Sequence, residues 1–244
     1  MAAVRRTRRD PELIIFDCDG VLIDSEPIAC RIVAECLTEQ GFTVETADIL
    51  TFVGKTSADM YASLESRFGR ALPPGLNELI GPRRRAAFER ELTAMPSVVA
   101  LLDALGGTRM CVASSAGLER IRHSLGCIGL LDRFERVLFS AAMVARGKPA
   151  PDLFLHAAAT MRVAPAACVV VEDSAAGIQA ARAAGMRAIG FTGGTHCRLG
   201  YASNLRRAGA AEIARTMPAL GALLGVRCGV SPDGAGARDR PARG

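Results

Sequence analysis

Two carboxylates stand two residues apart in Asp17-Cys18-Asp19-Gly20, directly after the apolar run Leu13-Ile14-Ile15-Phe16. Carboxylates at that spacing can share a displacement reaction, one attacking and the other moving the proton. Cys18 between them is expected to face away, and Gly20 permits a tight turn. The chain repeats this arrangement of polar residues closing apolar runs. Ser114-Ser115 close Met110-Cys111-Val112-Ala113, Glu172-Asp173 close Cys168-Val169-Val170-Val171, and Lys148 lies in Gly147-Lys148-Pro149, beyond Val137-Leu138-Phe139. Apolar runs of this kind suit strands buried on both faces of a parallel sheet. Ligands in such sheets bind outside the carboxyl ends of the strands. Hydroxyls, an ammonium and several carboxylates are therefore expected around one crevice.

Each piece alone has a plainer reading. Asp17 and Asp19 could cap a turn, Ser114 a helix; Lys148 could be a surface lysine, and Glu172-Asp173 a solvated strand end. Their common placement at strand ends weighs against these readings without closing them. A calcium loop starting at Asp17 fails as well, because its sixth and twelfth positions, which need Gly and Glu, are Leu22 and Ile28.

The elements that must position these residues follow from periodicity. Strands are expected at 13–16, near 109–113, at 137–139, 168–171 and 187–191. Helices are expected at 97–105, 118–125, 152–161 and 175–184. The alternation implies an α/β fold, a parallel sheet with helices on both faces. Between Pro27 and Met95 the pattern is helical throughout. Pro27 starts a helix whose Ile28, Ile32, Val33, Cys36 and Leu37 recur at helical spacing up to Gly41, and 57–68 and 76–94 follow. The division expected is a core of 12–26 and 96–228, a helical insertion at 27–95, a disordered basic arm at 1–11 and a disordered tail at 229–244.

Composition narrows the partners. The 244 residues are 50% hydrophobic and carry a net charge of +5. Arg5, Arg6, Arg8 and Arg9 supply +4 of it and the segment from Arg227 onward +2, leaving about −1 for the body. A nucleic-acid reader needs a basic face on its folded domain, so none is expected. The eight cysteines, at 18, 30, 36, 111, 127, 168, 197 and 228, include no C-x-x-C pair, which favours a reduced cytoplasmic compartment. No signal peptide and no run of about 18 apolar residues is found, so no membrane contact is expected. His123, His156 and His196 are dispersed and read as structural or surface residues, and Arg83-Arg84-Arg85 as a solvated helix face, with a substrate-gripping role for one of the three as the alternative. A monomer is the default.

Four motifs in order, spanning residues 13 to about 191, resemble those of the haloacid dehalogenase superfamily. They are Asp17-Cys18-Asp19-Gly20-Val21-Leu22-Ile23-Asp24-Ser25-Glu26, Ser114 in Val112-Ala113-Ser114-Ser115, Lys148 in Gly147-Lys148-Pro149-Ala150-Pro151-Asp152, and Glu172-Asp173 in Val171-Glu172-Asp173-Ser174-Ala175-Ala176-Gly177-Ile178. The resemblance implies a Rossmann-like core with an inserted all-helical cap, and a phosphatase acting on a small phosphorylated metabolite. It implies Asp17 as nucleophile, Asp19 as acid and base, and an aspartyl phosphate. Mg²⁺ would be bound by Asp17, the backbone carbonyl of Asp19, Asp173 and, directly or through water, Glu172. Lys148 would neutralise charge on Asp17 and the phosphate, while Ser114, Ser115 and the amides that follow would hold phosphate oxygens.

Within the superfamily, dehalogenases and phosphonatases lack an acid at the position of Asp19. The subgroup resembled holds sugar-phosphate phosphatases and beta-phosphoglucomutases. Ala29 and Ser57 stand where mutases carry His and Arg, so a plain phosphatase is preferred over a mutase. Met110-Cys111-Val112 and His123-Ser124-Leu125-Gly126 resemble a 6-phosphogluconate phosphatase group, which points to a sugar or sugar-acid phosphate. A non-catalytic regulator that binds phosphometabolites is the alternative of another class; it would be marked by loss of a motif residue, and none is lost.

Overall fold

The computed structural model describes residues 10–54 and 57–227. The expected tail, most of the basic arm, and Lys55 and Thr56 lie outside them. Six strands, β1 (Leu13–Phe16), β2 (Arg109–Ser114), β3 (Leu138–Ser140), β4 (Cys168–Glu172), β5 (Arg187–Phe191) and β6 (Glu212–Ala214), form one sheet in the order β3-β2-β1-β4-β5-β6. Every neighbouring pair is parallel.

β1 shows why its four apolar residues make a central strand. Side chains alternate across a strand, and here Ile14 and Phe16 enter the core layer on one face while Leu13 and Ile15 enter the layer on the other. A polar residue on either face would break a layer. The first layer is closed by α5 (Val98–Ala104), α6 (Leu118–Cys127), α7 (Leu131–Phe134) and α11 (Met217–Leu223), the second by α8 (Asp152–Thr160), α9 (Ala175–Ala183) and α10 (Tyr201–Ala208).

Between β1 and α5 the chain forms α1 (Glu26–Glu39), α2 (Thr46–Leu50), α3 (Ser57–Phe68) and α4 (Leu76–Glu91). Their buried residues, among them Cys30, Leu37, Leu64 and Ile80, make a third apolar cluster with Phe42 from the loop between α1 and α2. Phe88 of α4 belongs instead to the first layer of the sheet. Two polar contacts tie α4 to α6: Arg85 Nη1 donates to Glu119 Oε1 at 3.2 Å, and Glu89 Oε1 lies 3.0 Å from His123 Nε2.

Several features differ from the periodicity, α7 and α11 among them. The helix expected at 76–94 stops at Glu91, because the next residues hydrogen-bond to the first motif: Asp24 N donates to Thr93 O at 3.1 Å and Met95 N to Leu22 O at 2.9 Å. α2 is a single short turn of helix held by a capping box between Glu45 and Asp48. β6 and α10 escape the pattern because β6 has three residues and α10 buries only Leu205. Among the described residues no helix is long and apolar enough to cross a membrane. Seven cysteines there are free thiols, and five of them, Cys18 included, are buried.

Candidate active site

Register brings the polar strand ends to one edge. Phe16 pairs with Val112 on one side and Val171 on the other, so Asp17, Ser114 and Glu172 emerge at nearly the same level. The chain moves from β1 to β2 in one direction and returns across β1 to β4, which makes this edge the switch point of the sheet.

Lys148 reaches the edge from the loop after β3. Its Nζ donates to Asp17 Oδ1 at 2.8 Å, Ala113 O at 3.0 Å and Glu172 Oε1 at 2.5 Å. An ammonium has three donors, and all three are used. Burial depresses the Lys148 pKa, but Asp17 and Glu172 outweigh it and the net shift is upward, so the side chain stays charged. Glu172 Oε2 accepts from Ser174 N at 3.0 Å and Ser174 Oγ at 2.8 Å. Ser174 also caps α9, its Oγ accepting from Gly177 N at 3.0 Å. A Cβ on Gly177 would lie 1.9 Å from the Glu172 carboxyl carbon, so only glycine lets this carboxylate fold back over the helix start.

Asp173 completes a trio with Asp17 and Glu172, whose oxygens lie within 4.8 Å of one another. All three are buried. Burial pushes the Asp17 carboxyl well above the ordinary range, offset by Lys148 and reinforced by Glu172 and Asp173. Asp173 is raised in the same way, by burial first and then by Glu172. One ammonium for three buried carboxylates leaves negative charge uncompensated, and the donors are all hard oxygens. A divalent cation with oxygen ligands fits this set.

Asp19 does not join that trio with its side chain. Its Oδ1 accepts from Ser25 Oγ at 2.6 Å, and its Oδ2 is ion-paired to Arg120 of α6. Ser114 is buried, with its Oγ accepting from Ala116 N at 3.1 Å, and Ser115 is exposed. Both line a cavity of about 730 Å³ together with Asp17, Asp19, Lys148 and Asp173. The helices α1, α3 and α4 contribute Glu26, Met60 and Arg84 to its lining.

Four residues of this region were missed or misread in the sequence. Glu26 lies inside the first motif but received no role; burial, followed by the charges of Asp19 and Asp173, pushes its pKa to about 7. Arg120 is the third residue of α6 and carried no signal of its own. Arg84 was read as part of a solvated face, yet three successive helical residues span about 200° and cannot share one face. Arg83 pairs outward with Glu39 at 2.6 Å and Arg85 with Glu119, while Arg84 turns into the cavity. His196 keeps its structural reading, but its contact was missed: it is buried, with Nε2 3.0 Å from Asp173 Oδ2. His123 and His156 keep the structural reading, against Glu89 and the edge of Phe139.

A protein-family model described as haloacid dehalogenase-like hydrolase matches residues 11–185. The 6-phosphogluconate phosphatase of Escherichia coli is 34% identical over 187 residues, covering 76% of this chain and 84% of that protein. A fructose-1-phosphate phosphatase of the same organism is 32% identical over 177 residues, covering 72% and 94%. Among solved structures, a haloacid dehalogenase-like protein from Agrobacterium tumefaciens superposes with a TM-score of 0.80 at 38% identity, covering 88% of this chain and 97% of that one.

Proposed function

The chain belongs to the haloacid dehalogenase-like hydrolases, and on that footing we propose that it is a Mg²⁺-dependent phosphatase of sugar or sugar-acid phosphates, working through a phosphoryl group carried on Asp17. The observation that carries this reading is the buried trio Asp17, Glu172 and Asp173 beside a single lysine. Such a concentration of carboxylate is costly in a fold unless a cation and an anionic substrate meet there.

In the proposed sequence, an Asp17 oxygen forms a bond to phosphorus while the bond to the ester oxygen breaks. The departing oxygen takes a proton from Asp19. Water then attacks the phosphorus, Asp19 takes back a proton, and Asp17 is released with inorganic phosphate. Asp19 hangs from Ser25 and Arg120 at the cavity's edge, which suits a group that must serve the leaving oxygen first and water second. Lys148 holds Asp17 and reduces its repulsion from the phosphate, and Ser114 with Ser115 cradles phosphate oxygens. Asp17, Asp173 and Glu172 would hold the Mg²⁺, which supplies charge neutralisation and polarisation of the phosphoryl group when bound.

Residues 27–95 are proposed to act as a cap, with α1, α3 and α4 closing the wall opposite the carboxylates. Ala29 also lines the cavity, and a methyl there offers no group to carry a proton back to a second hydroxyl, which favours hydrolysis over a mutase reaction. The free cysteines suit a reduced cytoplasm.

The test is phosphate release from p-nitrophenyl phosphate and a panel of sugar phosphates, with Mg²⁺ and with EDTA. Asp17→Asn should lower turnover by roughly 10³-fold or more. Undiminished activity in that variant, or equal activity in EDTA, would sink the mechanism.

A further inference from the structure

Three described cations line the cavity: Lys148, Arg120 and Arg84. Lys148 is neutralised by Asp17 and Glu172, and Arg120 by Asp19. Arg84 has no hydrogen-bond or ion-pair partner among the described residues, although its side chain is partly buried. Its two neighbours on α4 do have partners, and these determine its direction. Arg83 is held by Glu39, and Arg85 by Glu119. Glu119 is adjacent to Arg120, so the contact that ties α4 to α6 on the outside sets Arg84 and Arg120 near each other on the inside.

That placement is unfavourable for the empty protein. Burial and then the like charge of Arg120 push the Arg84 pKa down, and the upward pull of Asp19, Tyr61 and Glu26 does not offset them. Arg120 carries its own deficit, since its Nε is buried without a partner. Arg84 has an exposed helix on which it could have been carried outward, as Arg83 and Arg85 are. Two guanidiniums with unmet donors around one cavity are relieved by an anion, and the phosphoryl group is already provided for at Asp17, Ser114 and Lys148.

We infer that the substrate carries a carboxylate in addition to its phosphate, and that Arg84, with the unused Nε edge of Arg120, is the specificity-determining pair that reads it. A carboxylate matches the case better than a second phosphate. Only one of the two guanidiniums lacks an ion-pair contact, and the acidic Glu26 and Asp19 line the same cavity. A planar guanidinium also meets a planar carboxylate in two parallel hydrogen bonds. This rests on the phosphatase reading and narrows its substrate class to sugar-acid phosphates.

The experiment compares gluconate 6-phosphate with glucitol 6-phosphate, which differ at the end remote from the phosphate by a carboxylate against a hydroxymethyl group. With the full chain and Mg²⁺, kcat/KM should favour the acid by roughly 10–100-fold, as for a charged hydrogen-bonded pair. Arg84→Gln should collapse that ratio towards one, and Arg84→Lys should keep part of it. Equal kcat/KM for the two compounds in the parent protein overturns the inference. So does an Arg84→Gln variant that loses both by the same factor, or a preference for fructose 1,6-bisphosphate over the acid. The same pair is measured by calorimetric binding to Asp17→Asn. Preferential binding of the acid there, without turnover by the parent protein, would uphold the inference while the phosphatase reading failed; equal binding would overturn it.

Discussion

His196 Nε2 stands 3.0 Å from Asp173 Oδ2, and both side chains are closed off from solvent. The ring has no room to leave. A Cβ on Gly194 would lie 2.6 Å from His196 Cε1, and the ring of Tyr201 meets it edge-on at 5.4 Å. Burial lowers the His196 pKa, so the imidazole is neutral at neutral pH. A neutral imidazole has one N–H, and placing it on Nε2 gives Asp173 a donor that favours its ionised form. Lys148 does the same for Asp17 and Glu172 from the other side.

Replacing His196 should therefore loosen Asp173. His196→Ala is expected to weaken metal binding by roughly 10–100-fold, as for other groups that orient a metal ligand. Titration of Mn²⁺ followed by electron paramagnetic resonance reads this without reference to turnover. His196→Gln, which can restore an N–H donor, should recover part of the affinity. Unaltered Mn²⁺ affinity in His196→Ala would show that the contact is packing alone.

Lys148 is the one cation touching the buried trio among the described residues. Lys148→Met should destabilise the metal-free protein by about 3–5 kcal/mol in urea unfolding, because it strands the carboxylates. Adding Glu172→Gln removes one stranded charge, so the double variant should be less destabilised than the sum of the singles. Strict additivity would mean that the two groups are not coupled.

Glu26 gives a pH dependence with a definite sign. Its pKa in the fold is about 7, against 4.5 for an ordinary glutamate, raised by burial and then by Asp19 and Asp173. The folded state therefore binds the proton more tightly than the unfolded chain, and the stability this contributes is full below pH 4.5 and lost as pH rises through about 7. Glu26→Gln, compared with the parent in EDTA, should flatten the fall in stability across that window and gain on the order of 1–3 kcal/mol at pH 8. Parallel curves for the two proteins in urea unfolding at pH 5 and pH 8 would contradict it.

Gly20 is fixed by geometry twice over. Its φ is +74°, and a Cβ would lie 1.9 Å from Asp173 Oδ2. Gly20→Ala should cost about 1–2 kcal/mol from the backbone alone and should also lower Mn²⁺ affinity by displacing Asp173. Gly81 in α4 is the control, with open space around its Cβ position. Gly81→Ala should raise the thermal midpoint slightly, since alanine is favoured by about 0.5–1 kcal/mol in a helix interior. Equal effects at the two positions would refute the argument.

How far the sequence could be read differs by element. The central strands were legible because a strand buried on both faces needs an uninterrupted apolar run, and 13–16 and 168–171 have one. Helices with an apolar stripe, such as α1, were legible for the matching reason at a period of 3.6. α10 and β6 were not, since one buried residue or a three-residue strand leaves no pattern to find.

The same division holds for the site. Asp17, Asp19, Ser114, Lys148, Glu172 and Asp173 were legible because each follows a strand or its loop, and parallel register carries strand ends to a common edge without any knowledge of side-chain packing. Arg84, Arg120 and Glu26 reach the cavity from helices, and His196 reaches Asp173 from the loop after β5, at sequence separations that no local period encodes. Whether a helical arginine faces solvent or a cavity depends on which neighbours find partners across the interface, and for Arg84 those are Glu39 and Glu119. The sequence by itself determined the strand-end carboxylates proposed to react and the sheet that holds them. Only the tertiary structure decided which cavity-lining cations are ion-paired and which is not, because the direction of a long charged side chain is set by distant partners rather than by its own segment.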